Sequence, residues 1–436
     1  MNVADSQRVS SALERLGYSH SPQAEEADVI VLNTCVVRQS AENKAYGRLS
    51  SLRPLKDRNP NLVINLMGCL VGVRSTAKLQ ARFPYVDVFS PPSDPGPLVA
   101  HLTQAESQAL EASEVDHRYA VMDSGELTLP AHEQGSLVSA FIPVVYGCSH
   151  ACTYCIIPYQ RGIERSRPAE DILAEARALA RQGVKEITLL GQIVDRYGKG
   201  MEDQPSDAPV TDGITLSGLL ARLHAVEGVE RIRFLTSHPN WFNDELIDAV
   251  ASLPKVMPHI EVPIQAGDDE VLTNMKRGYT ADDYRRLVEK IRARIPDVSI
   301  ATDIIVGFPG ETAAQFEHTY ELLAELKLDV AHLARYSSRP DTVATRRMVD
   351  DISPAEKMER FRRLETLQEN IAAEIHGRLL GKQVEVLFEE KVKGRWKGRT
   401  PNTQLVFVES EGDLRGQILP VEITWTGPWS MQGRLL

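Results

Sequence analysis

The chain reads as an α/β protein that ends in a small all-β module. Short apolar runs alternate with amphipathic helical stretches from the first residues to Arg378, the pattern of parallel strands covered by helices. The polar stretch Asp123–Ser136 interrupts the alternation once and divides it into a shorter and a longer domain. After Gly381 the texture changes to brief strands separated by turn residues, which suits a small β-barrel. The boundaries expected are 1–122, a linker over 123–135, then 136–377 and 378–436.

In the first domain, helices are expected over Ala4–Leu16, Gln39–Arg53 and Ser75–Arg82. Asp28–Leu32 and Leu62–Met67 are the apolar runs between them, read as buried parallel strands. Sheet and helices together imply a three-layer domain of the Rossmann/flavodoxin-like kind. Each run leads to a cysteine, Cys35 and Cys69, at the strand's carboxyl end, where ligands collect in open α/β sheets. Pro91–Pro97 marks a loop.

In the second domain the strand candidates are Phe141–Val145, Glu186–Leu190, Arg231–Leu235, His259–Pro263, Ser299–Val306 and Val330–Tyr336. Helical patterns such as Ala169–Gln182, Asp282–Arg294 and Ala313–Leu326 separate them. Six such units suggest a partial parallel (βα)6 barrel with its site at the strand carboxyl ends. Gly198–Gly213 is a polar insertion, and Pro354–Arg378 a long amphipathic helix that closes the domain. Gln383–Phe388, Gln404–Phe407 and Ile418–Trp425 are strands of the last module.

Bulk properties narrow the function. At 436 residues and 42% hydrophobic, the chain suits two or three domains with real cores. No run approaches the roughly 18 apolar residues of a membrane span. Met1–Ser6 lacks the pattern of a secretion signal, so a cytoplasmic protein is expected. Five clustered cysteines in a reducing compartment point to metal binding or catalysis, not a disulfide framework. A net charge of −11 argues against a protein coated in nucleic acid but allows a local basic patch.

Gly147-Cys148-Ser149-His150-Ala151-Cys152-Thr153-Tyr154-Cys155 carries the strongest chemical signal. Three thiolates at C-x3-C-x2-C fill three irons of a cubane cluster and leave one open, as catalysis requires. The alternative is a structural zinc site with His150 as fourth ligand, although zinc sites more often use two separated pairs.

This loop, after a strand that opens a βα barrel, resembles the radical S-adenosylmethionine (SAM) superfamily. The resemblance implies a 4Fe–4S cluster on Cys148, Cys152 and Cys155 with SAM on the fourth iron. Tyr154 resembles the aromatic beside the SAM adenine, and Leu189-Leu190-Gly191-Gln192 the glycine-rich segment for the SAM amino group. Asp303 to Glu311, with Gly307, resembles the later adenine-contacting strand. His238 and Gln265 sit at strand ends facing the same site, as further candidate SAM contacts.

Within the superfamily the chain is similar to the methylthiotransferases over essentially its whole length. Cys152–Tyr159, Arg161-Gly162, Arg165–Pro168, Thr236–Pro239, Pro263–Gly267 and Val306–Thr312 carry that similarity. It implies a second 4Fe–4S cluster on three N-terminal cysteines, of which Cys35 and Cys69 match two. Alone, each would as readily be a buried structural cysteine. The third is expected just upstream of Met1, in a Gly-Cys-Gln segment that ends a first strand. Either the coding start is set late, or the second site is incomplete.

Met1-Asn2 with Asp5-Ser6 looks like the branch that acts on isopentenyladenosine beside the tRNA anticodon. Branches that act on threonylcarbamoyladenosine or on a ribosomal-protein aspartate are the competitors, and a tRNA-binding relic without a complete second cluster is the non-enzymatic alternative. The resemblance further implies the tRNA anticodon loop as partner, an electron donor such as flavodoxin or ferredoxin, and a monomer. Arg161, Arg165 and Arg167 are candidates for holding loop phosphates or a SAM carboxylate, or are surface ion pairs.

Lys391-Val392-Lys393-Gly394-Arg395-Trp396-Lys397-Gly398-Arg399 places a base at every second residue. Read as one strand, Lys391, Lys393, Arg395, Lys397 and Arg399 share a face that suits phosphates, with Trp396 opposite. A solvated edge strand is the plainer alternative. By resemblance the module is a tRNA-binding TRAM domain.

Overall fold

The computed structural model describes residues 1–37, 39–74, 76–103, 129–198 and 214–436. Most of the polar insertion and the first half of the expected linker therefore lie outside the described residues.

The first sheet has three parallel strands in the order β1 (Val29–Thr34), β2 (Val63–Gly68) and β3 (Val88–Ser90). Side chains alternate across β2 and feed two cores. Ile64 and Leu66 meet Leu49 and Leu52 of helix Gln39–Arg58 on one face. Met67 and β3's Val88 meet Val9 of helix Asn2–Arg15 and Leu98 of helix Gly96–Thr103 on the other. The three-layer expectation holds. The second helix runs past Pro54, where proline's missing N–H suggested an end. Lys56 secures that last turn by donating to Asp87 and to the Leu62 carbonyl.

The central domain begins with β4 (Ser139–Pro143), then a short antiparallel ladder of β5 (Val145–Tyr146) and β6 (Arg165–Ser166). It continues with β7 (Glu186–Leu190), β8 (Arg231–Phe234), β9 (His259–Glu261), β10 (Ser299–Val306) and β11 (Val330–Arg335). β4, β7 and β8 form one parallel sheet, and β9, β10 and β11 another. A parallel bridge from Ile232 to Val256 joins the two into a partial barrel. Its helices start where capping signals place them. Thr280 with Asp283 and Thr312 with Gln315 form reciprocal capping boxes.

β12 (Gln383–Val392), β13 (Arg395–Arg399), β14 (Leu405–Val408), β15 (Ile418–Thr426) and β16 (Met431–Leu435) close into a barrel in the order β12-β13-β14-β16-β15. This barrel docks on the amino-terminal end of the central strands. Arg231 and Arg233 of β8 donate to the carbonyls of Arg399, Thr400 and Pro401, and Thr403 bonds His259 at the start of β9. The opposite, carboxyl end of the strands is left to the cysteine loop.

The basic segment departs from the sequence expectation. It is a hairpin, not one strand: Lys393 and Gly394 form a two-residue turn between β12 and β13 with φ of +49° and +85°. Positive φ at both positions is the primed turn that matches strand twist, and Gly394 makes it cheap. Only Arg395, Lys397 and Arg399 share a strand face, while Lys391 lies on β12 opposite Trp396. Trp396 and Gly398 do point into the barrel, as expected.

Candidate functional site

The β5–β6 ladder clamps the base of the cysteine loop, and the Cys148 N–H donates to the Gly162 carbonyl at 3.1 Å. Gly147, at φ +63°, lets the two limbs meet: a Cβ there would fall 2.0 Å from the Ile163 oxygen. Thr153 ties the loop to the turn after helix Asp269–Asn274, donating from N–H to Met275 O and from Oγ1 to Asn274 O.

Burial pushes the Cys148 thiol up to about 11 and that of Cys155 up to about 12, with Cys152 adding to both. The three thiols thus lie within electrostatic reach of one another. Among the described residues no three His, Cys, Asp or Glu side chains, the loop thiols included, gather closely enough for one ion. Instead His150 stacks edge-on against His238 and Trp241. Three free thiols on one short loop suit a cubane, whose irons take one thiolate each, better than a single ion.

The remaining candidates fall at the strand carboxyl ends around this loop. The Tyr154 ring meets Phe308 edge-on at 6.5 Å. Gly191 follows β7 and its carbonyl accepts from Thr236 Oγ1 at 2.7 Å. Gln192 Nε2 donates to Met1 Sδ, so it faces the first domain. His238 is buried, with burial lowering its imidazole to about 2 and its Nε2 left unpartnered. Gln265, at φ +82°, exchanges backbone hydrogen bonds with Asp303 O and Ile305 N. Asp303 lies within β10 itself. Gly307 is spoken for by the protein: its N–H donates to Glu311 and its Cα abuts Lys357.

Three groups at this end were not singled out from the sequence. Arg277 donates to Cys152 Sγ at 3.1 Å. Tyr279 accepts from Arg277 Nε at 2.8 Å and donates to Ile264 O. Asp195 accepts from the His238 N–H, and burial raises its carboxyl to about 7. The run Met275-Lys276-Arg277-Gly278-Tyr279, a base and an aromatic around a glycine, was the signal that could have found two of them.

Cys35 and Cys69 follow β1 and β2 and are neighbours. Burial raises the Cys69 thiol, while the nearby Arg161 charge works against the rise. Two thiols fit two corners of a cluster and do not complete three.

Of the arginines after the loop, Arg161 and Arg167 are buried in ion pairs inside the protein, so for these two the surface ion pair is not what the structure shows. Arg161 is 6% exposed and pairs with Asp5, and Arg167 is 3% exposed and pairs with Glu175 and Pro143 O. Arg165 is half-buried. In the C-terminal barrel, Arg395 pairs with Glu409, Lys397 with Glu389 and Glu390, and Arg399 with Glu389. Lys391 donates to Ser410 O.

A cysteine loop at the carboxyl end of a partial parallel barrel defines a radical SAM protein, and residues 142–323 match the Radical SAM superfamily. Residues 1–90 match the uncharacterized protein family UPF0004, and residues 377–436 the TRAM domain. A radical SAM methyltransferase, TsrM from Kitasatospora setae, shares the fold with a TM-score of 0.51 at 15% identity, over 77% of this chain and 68% of its own. A tRNA-2-methylthio-N(6)-dimethylallyladenosine synthase of Roseiflexus sp. is 44% identical over 100% of this chain and 87% of its own length. One from Chloroflexus aurantiacus is 45% identical over 99% and 89%. The chain belongs to the tRNA-2-methylthio-N(6)-dimethylallyladenosine synthase family.

Proposed function

We propose that the chain is a radical SAM tRNA methylthiotransferase that places a methylthio group on C2 of N6-isopentenyladenosine beside the anticodon. The observation that carries this is the clamped loop of three neighbouring thiols at the strand carboxyl ends, in a chain related end to end to synthases of that name.

Cys148, Cys152 and Cys155 would hold the SAM-binding cluster, and Cys35 and Cys69 would supply ligands to a second. When bound, the first cluster supplies the electron that cleaves SAM. The chain's own residues shape the site. Thr236 fixes the Gly191 carbonyl, and Asp195 fixes the His238 backbone. His150, His238 and Trp241 form an aromatic wall beside the loop that excludes water. Tyr154, Gly191, Gln192, His238, Gln265, Asp303 and Gly307 remain the proposed SAM surroundings, and the β12–β13 hairpin the proposed tRNA contact. A base in the anticodon loop is already unpaired, so drawing it into such a site costs little. A cytoplasmic monomer served by a flavodoxin or ferredoxin belongs to the same proposal. Among the described residues no helix is long and apolar enough to cross a membrane.

The test is nucleoside analysis of tRNA from a deletion strain. The methylthio form of isopentenyladenosine should vanish and return on complementation. Its persistence, with loss of methylthiolated threonylcarbamoyladenosine or of a modified ribosomal aspartate, would move the enzyme to another branch.

A further inference from the structure

Arg277 is 5% exposed, and among the described residues no carboxylate pairs with it. Its nitrogens go to two tyrosine hydroxyls, a backbone carbonyl and a cysteine sulfur. Nε donates to Tyr279 Oη at 2.8 Å, and Nη2 to Pro263 O at 3.2 Å. Nη1 reaches Cys152 Sγ at 3.1 Å and Tyr154 Oη at 3.5 Å. A buried guanidinium without a counter-ion is costly, and the group it reaches that could carry a charge is the Cys152 thiol.

The arrangement is rigid. Lys276 and Gly278 both have positive φ, which turns Arg277 inward from the end of helix Asp269–Asn274. That turn accepts both hydrogen bonds from Thr153, the residue between Cys152 and Tyr154. Tyr279 Oη, donating to Ile264 O, holds the far side of the fork. Guanidinium and thiol are therefore fixed to one another through backbone, not through a flexible side chain alone.

We infer that Arg277 is a positioning residue for electron entry: its N–H···S bond to Cys152 and its uncompensated positive charge raise the reduction potential of the cluster held by the loop. This rests on the proposal that Cys148, Cys152 and Cys155 hold that cluster. Reduction adds one electron, and hence one negative charge, to a site that this cation touches at 3.1 Å through Cys152 Sγ, whereas the Arg196 and Glu164 charges that also bear on Cys148 are of opposite sign to each other. Hydrogen bonds to cluster sulfurs and local charge are among the terms that set such potentials.

The test is anaerobic reconstitution of the full chain, an iron count, and potentiometric titration followed by electron paramagnetic resonance. Arg277→Met should bind iron as the parent does. At the potential that half-reduces the parent, its reduced-to-oxidised ratio should be at least tenfold lower, a shift of about 59 mV for one electron. Arg277→Lys, which keeps charge but loses the fork, should shift part of the way. A loaded Arg277→Met with the parent's midpoint overturns the inference. If that variant does not load, an unshifted Arg277→Lys overturns it instead. A parent chain that takes up no iron on the three loop cysteines overturns the reading beneath it.

Discussion

Arg161, which ends the helix after the cysteine loop, pairs with Asp5 at 3.5 Å and donates to Asn2 at 3.0 Å, and its charge bears on Cys69 at the end of β2. One buried cation therefore joins the loop of the central barrel to the cysteine end of the N-terminal sheet. Arg161→Met should destabilise the apo-protein by roughly 3 kcal/mol or more, because Asp5 is left buried and uncompensated. Thermal unfolding measures this, and adding Asp5→Asn should recover part of the loss. Equal melting of parent and single variant would show that the pair carries no stability.

Burial holds the Cys148 thiol at about 11 and that of Cys155 at about 12, so these two are protonated at neutral pH. Ligation needs thiolates, so cluster loading should accelerate between about pH 7 and 9. Absorbance during anaerobic reconstitution follows the rate. Cys152→Ala should lose the cluster and any spectral response to SAM; a flat pH profile would detach loading from thiol ionisation.

Asp195 has a folded carboxyl near 7 against an ordinary 3.8, with burial as the leading cause. The folded state therefore binds more protons than the unfolded one between those values, and stability falls as pH rises through that window. Asp195→Asn keeps an acceptor for the His238 N–H and removes the buried charge. It should raise the melting temperature at about pH 8 and make no difference near pH 3, with a gain on the order of a few kcal/mol. A variant that melts lower at the higher pH would mean that the charge is compensated in solution.

Three cations of the hairpin already have acidic partners, so they are muted as phosphate ligands. Glu389→Gln with Glu390→Gln frees Lys397 and Arg399 and should tighten tRNA binding. The log–log salt slope should steepen by about 0.7 to 0.9 for each further phosphate neutralised. Lys393, at the turn, has no acidic partner among the described residues, and Lys393→Gln should weaken binding. Affinity and slope unmoved by both changes would take the hairpin out of the interface.

Strand and helix positions were largely legible in advance. Glu186–Leu190, Ser299–Val306 and Ala313–Leu326 fall where periodicity puts them. What escaped was the last strand, β16, and the shortest ones, β3 and the β5–β6 clamp. In β3, β5 and β6, two or three residues of strand leave no pattern to count. Alternation of bases over Lys391–Arg399 looked like one strand because period two continues across a two-residue turn, and only Gly394 hinted at the break.

By itself the sequence determined the order of the three parts, the cysteine loop and the family, because each is written in contiguous residues. Tertiary structure alone decided which charges face which. Arg277 and Cys152 are 125 residues apart, Arg161 bonds Asn2 across 159, and Arg233 reaches Thr400 across 167. Such pairs are chosen by how strand ends and turns converge, and a buried cation settles where acceptors are already fixed. No local pattern in the chain records that convergence.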